Sequence, residues 1–169
     1  EGALAKGDFP VVLGGDHSIA IGTIAGIANH YRKQDKKLGL VWIDAHADMN
    51  TPATSPSGNL HGMPLSAVLG LGHDRFVHVG GCGVRVRPEN VALIGIRNLD
   101  EGEKEFVRQT GIRYYTMTDI DQRGMYACIS EAMDDLAQRC SAVHLSFDMD
   151  GVDPLYAPGV STPVTGGLT

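Results

Sequence analysis

At 169 residues, 43% of them hydrophobic and 20% charged, the chain is long enough for one domain with a real core and too apolar for a disordered segment. A net charge of −6, with no block of five like charges, excludes a basic nucleic-acid groove, and no apolar run approaches the roughly 18 residues of a bilayer-spanning helix. The cysteines Cys82, Cys128 and Cys140 are odd in number and far apart. They read as thiols of a reducing, cytoplasmic compartment rather than a disulfide frame or a zinc knuckle.

In chain order, Phe9 to Leu13 reads as a short strand ending in Gly14-Gly15. Ser18 is placed to cap a helix to about Tyr31, apolar at Ile19, Ile21, Ile24, Ile27 and Ala28. Leu38 to Ile43 is an apolar strand of the kind covered on both faces, and Val91 to Ile96 and Val143 to Phe147 repeat that character. Asn50 to Gly62, rich in Gly, Pro and Ser, is a loop before a helix from about Pro64 to Leu71. Arg75 to Glu89 is turn-rich. Helical patterns follow at about Glu101 to Gln109 and Met125 to Arg139, with a strand at Arg113 to Met117. The alternation predicts an α/β fold, a three-layer doubly wound, mostly parallel sheet with helices on both faces. With no linker and no internal repeat, residues 1–169 form a single domain in this reading. The ends, Glu1 and the Leu168-Thr169 that follows a glycine pair, are those expected of a piece of a longer protein.

Ligands of open parallel sheets bind outside the carboxyl ends of the strands. Those ends here carry Asp16-His17, then Asp44-Ala-His46-Ala-Asp48, then Arg97, Asn98 and Asp100, and finally Asp148-Met-Asp150 with Asp153. In extended backbone, residues two apart face the same way, so Asp44, His46 and Asp48 converge if the segment stays extended, as do Asp148 and Asp150. Any one of these motifs alone is also what a loop-capping cluster or a solvated strand end looks like. Together they predict a metal site, because four crowded carboxylates repel unless cations neutralise them. Two divalent ions balance four carboxylates. Hard oxygens with two imidazoles and no thiolate favour Mn²⁺, with Co²⁺, Ni²⁺ or Fe²⁺ as alternatives, over structural zinc. Metal-assisted hydrolysis is the reaction class that this chemistry implies. His30, His73 and His78 lack acidic neighbours and read as structural or surface residues, and His144 as a satisfied sheet residue. The glycine clusters match neither a P-loop nor GxGxxG, and no GxSxG elbow is present.

The motifs GGDHS at 14–18, DAHAD at 44–48 and SFDMDGVDP at 146–154 closely resemble those of the ureohydrolase family of arginases, agmatinases and formimidoylglutamases. The segments NTPATSPSGNLHGMP at 50–64, LDEGEK at 99–104 and STPVTGGLT at 161–169 make the chain most like a bacterial arginase. The resemblance implies an arginase-like fold and hydrolysis of L-arginine to L-ornithine and urea. It implies one Mn²⁺ held by His17 and Asp48, a second by His46 and Asp150, and Asp44 and Asp148 bridging both. A bridging hydroxide would attack the guanidinium carbon, Asp48 would help move its proton to the leaving amine, and His61 resembles the family's proton shuttle.

Asn50, Ser55, Ser57 and Asn59 offer neutral polar groups for a substrate α-carboxylate, and Asp100 a negative partner for its α-ammonium. Thr162 matches a position beside the guanidinium. Such a clamp rejects agmatine, which lacks the carboxylate. Position 98 is Asn where some arginases carry Asp, a change expected to be tolerated. The family extends further at both ends, with an upstream strand and helix, a downstream glutamate that pairs with the guanidinium, and a tail that supports trimers. The full-length parent is therefore expected to be a trimer or hexamer. The alternatives are an agmatinase or other guanidino or formimino ureohydrolase, a single-zinc deacetylase of related architecture, which the second histidine-linked site disfavours, and a metal-binding fragment without turnover.

Overall fold

The longest apolar runs of the chain become neighbouring strands of one parallel sheet, since a strand hidden on both faces needs apolar side chains on both. The computed structural model describes residues 2–81 and 83–169, so the reading of Cys82 lies outside the described residues. A short helix α1 (Gly2–Ala5) precedes α2 (Ile19–Arg32), and β1 (Leu38–Ile43) follows. Two short helices, α3 (Pro64–Val68) and α4 (Asp74–Val77), lead to β2 (Val91–Ile96). The order then runs α5 (Glu101–Thr110), β3 (Arg113–Thr116), α6 (Met117–Arg123), α7 (Met125–Ala137) and β4 (Ala142–Phe147). The sheet order is β3-β2-β1-β4, parallel throughout. Among the described residues no helix is long and apolar enough to cross a membrane.

Alternation along the strands divides the core in two. Leu38, Leu40 and Trp42 of β1 and Val91 and Leu93 of β2 face Ile24, Ala28, Leu65, Val68 and Val107 from α2, α3 and α5. Val41, Ile43, Ala92 and Ile94 face the other way, onto Ile120, Cys128, Ala132 and Leu136 from α6 and α7. This is the three-layer doubly wound arrangement expected from the sequence. One irregularity shapes the carboxyl end of the sheet. The β2–β3 register shifts between Ile94 and Ile96, where Gly95 sits at φ +89°. The shift turns Ile96 into the first cluster and sends the chain on toward Arg97.

Three expectations need correction. Phe9 to Leu13 is not a strand. No described strand is hydrogen-bonded to it, Pro10 lacks a donor, and Phe9 and Leu13 are 91% and 89% exposed. Val143 to Phe147 does form a strand, but as an edge with only part of its surface covered: Leu145 is 53% and Phe147 46% exposed. His144, expected to be satisfied within the sheet, has no hydrogen-bond partner among the described residues, and burial alone pushes its pKa down. His30, by contrast, meets Gln34, and His73 accepts from the Arg75 N–H at the start of α4, as structural histidines do.

Replacing Gly95 by Ala puts a Cβ at a positive φ inside the sheet, 3.4 Å from the Asp44 carbonyl oxygen. Strain of this kind costs about 1–3 kcal/mol. Gly95→Ala is therefore expected to lower the urea midpoint without changing the steepness of the transition; a midpoint equal to wild type would contradict the role given to the bulge.

Candidate metal centre

His17 reaches the sheet rim from the turn that opens α2. Asp16 makes that turn, its Oδ1 accepting from the Ser18 N–H at 2.9 Å. Ser18 itself, expected to cap the helix, makes no side-chain cap bond. Asp44 follows β1 directly, and its own N–H continues the ladder to Ile94 at 3.1 Å. The segment 44–48 does not stay extended. Asp44 Oδ1 accepts from the His46 N–H at 2.7 Å, a tight side-chain turn, and Asp48 lies at φ +53°. The Asp48 carbonyl holds that conformation by accepting from the N–H groups of Leu65 and Ser66 at the start of α3. On β4 the chain turns likewise, Asp148 Oδ1 accepting from the Asp150 N–H at 3.0 Å. Convergence thus comes from turns, not from the two-residue alternation that the sequence suggested.

The six residues meet in two groups. His17 Nδ1 lies 2.9 Å from Asp44 Oδ2, 3.2 Å from Asp48 Oδ2 and 3.2 Å from Asp148 Oδ2. His46 Nδ1 lies 3.2 Å from Asp44 Oδ1 and 3.1 Å from Asp150 Oδ2. Asp44 belongs to both groups, one oxygen to each. The remaining bonds fix the frame. Asp150 Oδ1 accepts from the Ala45 N–H at 3.2 Å and Oδ2 from the Thr162 hydroxyl at 2.8 Å. His17 Nε2 is 2.8 Å from Ser146 Oγ, and Trp42 Nε1 donates to Asp44 Oδ2 at 3.1 Å.

Does this donor set fit divalent cations? One imidazolium N–H has a single proton, yet three carboxylate oxygens surround His17 Nδ1. Asp48 Oδ2, fully buried, has no hydrogen-bond partner among the described residues. An orphaned anionic oxygen in the interior is costly unless a cation meets it. Oxygen and imidazole donors in two groups sharing a carboxylate suit two such ions. The fit is good.

A cavity of about 1550 Å³ opens over these residues. Its lining includes the other residues singled out in the sequence: Asn50, Ser55, Ser57, Asn59, His61, Asp100 and Thr162. Asn50 is buried and donates to Asp100 Oδ2 at 3.0 Å. Ser55 Oγ accepts from Gly58 N–H and Ser57 Oγ from Asn59 N–H, which leaves each hydroxyl proton free to donate. His61 is half-buried in the short turn Leu60–Gly62.

Sequence reasoning missed several contributors. Glu103, buried on α5, accepts from the Met49 N–H at 2.9 Å and ties the DAHAD turn to that helix; burial pushes its carboxyl up. It lies inside the LDEGEK motif, where its own role was not weighed. Arg97 donates to the carbonyls of Gly95, Asp150, Gly151, Val164 and Thr165, and Asp153 accepts from Gly166 and Gly167. These bonds hold the loop that carries Thr162. Trp42 looked like a plain core position, and Ser146, although it opens the SFDMDGVDP motif, was given no role of its own.

The Arginase family model matches residues 1–169. The chain is 57% identical to the arginase of Bacillus caldovelox over 164 residues, covering 97% of this chain and 54% of that relative. It is 55% identical to the arginase of Bacillus subtilis strain 168 over 161 residues, covering 95% and 53%. The native structure of the B. caldovelox arginase at pH 5.6 superposes with a TM-score of 0.95 at 55% identity, over 99% of this chain and 55% of that one. The chain therefore spans about half the length of the curated relatives it matches.

In the metal-free protein burial alone would pull the pKa of His17 down. The carboxylates of Asp148, Asp44 and Asp48 around its Nδ1 outweigh it and raise it from 6.5 to about 11. His46, against the same penalty, is raised from 6.5 to about 10 by Asp150 and Asp44. Burial and the neighbouring Asp44 hold the Asp48 carboxyl well above its usual range, so it too favours a bound proton when folded. Folded pKa values above the unfolded ones stabilise the protein fully below about pH 6.5, and that stability is lost as pH rises toward 10–11. Metal-free protein in chelator should therefore lose stability steadily across this window. Saturating divalent metal should flatten the slope, since it displaces those protons from the folded state and the unfolded histidines lose theirs above pH 6.5. Urea midpoints measured from pH 6.5 upward check both; a flat metal-free profile would contradict the assignment.

Proposed function

The chain belongs to the arginase family, and from that premise we propose that the protein hydrolyses L-arginine to L-ornithine and urea at a pair of Mn²⁺ ions. The observation that carries this reading is Asp44, shared by two histidine–carboxylate groups beneath a cavity lined with the polar side chains of Asn50, Ser55, Ser57, Asn59 and Asp100. His17 and Asp48 would hold one ion, His46 and Asp150 the other, and Asp44 and Asp148 would complete the donor set. When bound, such a pair supplies Lewis acidity that makes water nucleophilic near neutral pH.

The chain's own residues do the rest. Asn50, Ser55, Ser57 and Asn59 bind the α-carboxylate, and Asp100, already tied to Asn50, takes the α-ammonium beside it. The substrate is thereby anchored at its far end, with its guanidinium directed at Asp150 and Thr162. Water adds to the guanidinium carbon, and the bond from that carbon to the side-chain nitrogen of the nascent ornithine then breaks. The Asp48 carboxylate takes up the proton of the attacking water and passes it to the leaving amine. His61, half-buried on the cavity wall, exchanges protons with solvent. We extend the reading to a single arginase-like domain and, for the full-length protein, a cytoplasmic trimer or hexamer. The acidic charge and the free thiols of Cys128 and Cys140 accord with that compartment.

Mn²⁺-dependent urea release by the full-length protein tests the substrate, with L-arginine expected to be turned over far faster than agmatine; preference for agmatine would sink the assignment. His46→Ala should lose one of two bound Mn²⁺ ions and nearly all turnover, and unchanged two-ion binding would contradict its place. His61→Ala should keep both ions while turnover falls on the order of 10²-fold, the usual size of a general acid–base contribution. An unaltered rate would remove His61 from the mechanism.

A further inference from the structure

We propose that Trp42, together with its strand neighbour Ser146, is a positioning device that sets the orientation of Asp44 and His17 for metal binding. The inference rests on the binuclear reading above and concerns two residues that are not among the six proposed ligands. Trp42 is completely buried on β1. A buried indole N–H needs an acceptor, and the acceptor here is not a spare carbonyl but Asp44 Oδ2, at 3.1 Å. That same oxygen faces His17 Nδ1, while Oδ1 is turned to His46. The indole donor therefore occupies one lone pair of the shared carboxylate and fixes how its two oxygens divide between the two groups.

His17 has the greater need of such support. It arrives from a turn whose upstream residues, Phe9 to Asp16, are exposed except for Pro10 and make no ladder among the described residues. Its own segment cannot fix its ring. The ring instead stacks on Trp42, centroids 3.9 Å apart and planes 16° from parallel. Its Nε2 meets Ser146 Oγ at 2.8 Å. Trp42 and Ser146 are register partners on the adjacent parallel strands β1 and β4, so they rise from the sheet side by side on one face. The β1–β4 pairing thus grips one imidazole by face and by edge, and leaves only Nδ1 toward the carboxylates. Outer groups that orient metal ligands typically contribute about 10–100-fold in metal affinity.

The test compares Mn²⁺ affinity and stoichiometry by equilibrium dialysis, with the electron paramagnetic resonance signal of the loaded protein, for wild type and variants. Trp42→Phe keeps a stacking face and loses the donor. Because Trp42 is fully buried and that change also shrinks the core, a second replacement removes the donor alone. Trp42 is the sole tryptophan of the chain, and benzothienylalanine in its place sets sulfur where the N–H stands. Ser146→Ala tests the other arm.

The analogue-containing protein should melt like wild type when metal-free, yet bind at least one Mn²⁺ about 10–100-fold more weakly. It should also lose the spin-coupled two-ion signal at concentrations that saturate wild type, an effect that a purely structural tryptophan would not produce. Ser146→Ala should weaken binding in the same direction. Wild type holding two ions, matched in affinity and signal by the analogue and by Ser146→Ala, would overturn this inference and leave the binuclear reading standing. A folded wild type that takes up no Mn²⁺ would overturn the binuclear reading and the inference with it.

Discussion

Buried negative charge at the carboxyl end of the sheet is the constraint around which the rest of the molecule is arranged. Asp44, Asp48 and Asp150 are all buried, and Asp148 is only partly exposed. Left alone, such a group of carboxylates would repel and draw protons, as the raised pKa of Asp48 shows. The two imidazoles offset part of that charge, but their donors are fewer than the oxygens around them. The interior therefore has a standing demand for cations. Asp44 stands at its centre because each of its oxygens serves a different histidine.

Holding these groups close requires rigid surroundings, and the surrounding bonds supply them. The ladders of β1 to β2 and β4 run past the strand ends into the ligand turns, through Asp44 N–H to Ile94 and Asp148 N–H to Ile43. The Gly95 bulge turns the chain so that Arg97 reaches four carbonyls across two loops, besides that of Gly95 itself. Glu103 links the DAHAD turn to α5, and Asn50 links it to Asp100 at the head of that helix. Gly151 permits a close approach, since a Cβ there would lie 3.3 Å from the Asp44 backbone. In the proposed reading the substrate clamp and the metal centre share one framework, so a displaced α5 would disturb both.

Much of this was legible in the chain itself. The bounds of β1 and β2 match the apolar runs closely, because a strand covered on both faces leaves little choice of residue. The gathering of histidines and aspartates at the strand ends was legible too, since their motifs all follow strands or open helices at one rim. The edge was not. Phe9 to Leu13 has the composition of a strand, but strand formation needs a hydrogen-bonded neighbour, and composition does not report one. His144 failed for a related reason: on an edge strand its polar ring finds no partner among the described residues.

The sequence by itself determined which groups are present, their periodicity and the family to which the chain belongs, because these depend on residue type and local spacing. Only the tertiary structure decided how the groups meet. Asp44, His46 and Asp48 converge through a turn and a positive φ rather than through an extended run. Trp42 and Ser146 come together only because β1 and β4, about a hundred residues apart in the chain, pair in one register. Contacts made across such separations depend on long-range pairing and its register, and no local pattern of residues encodes them.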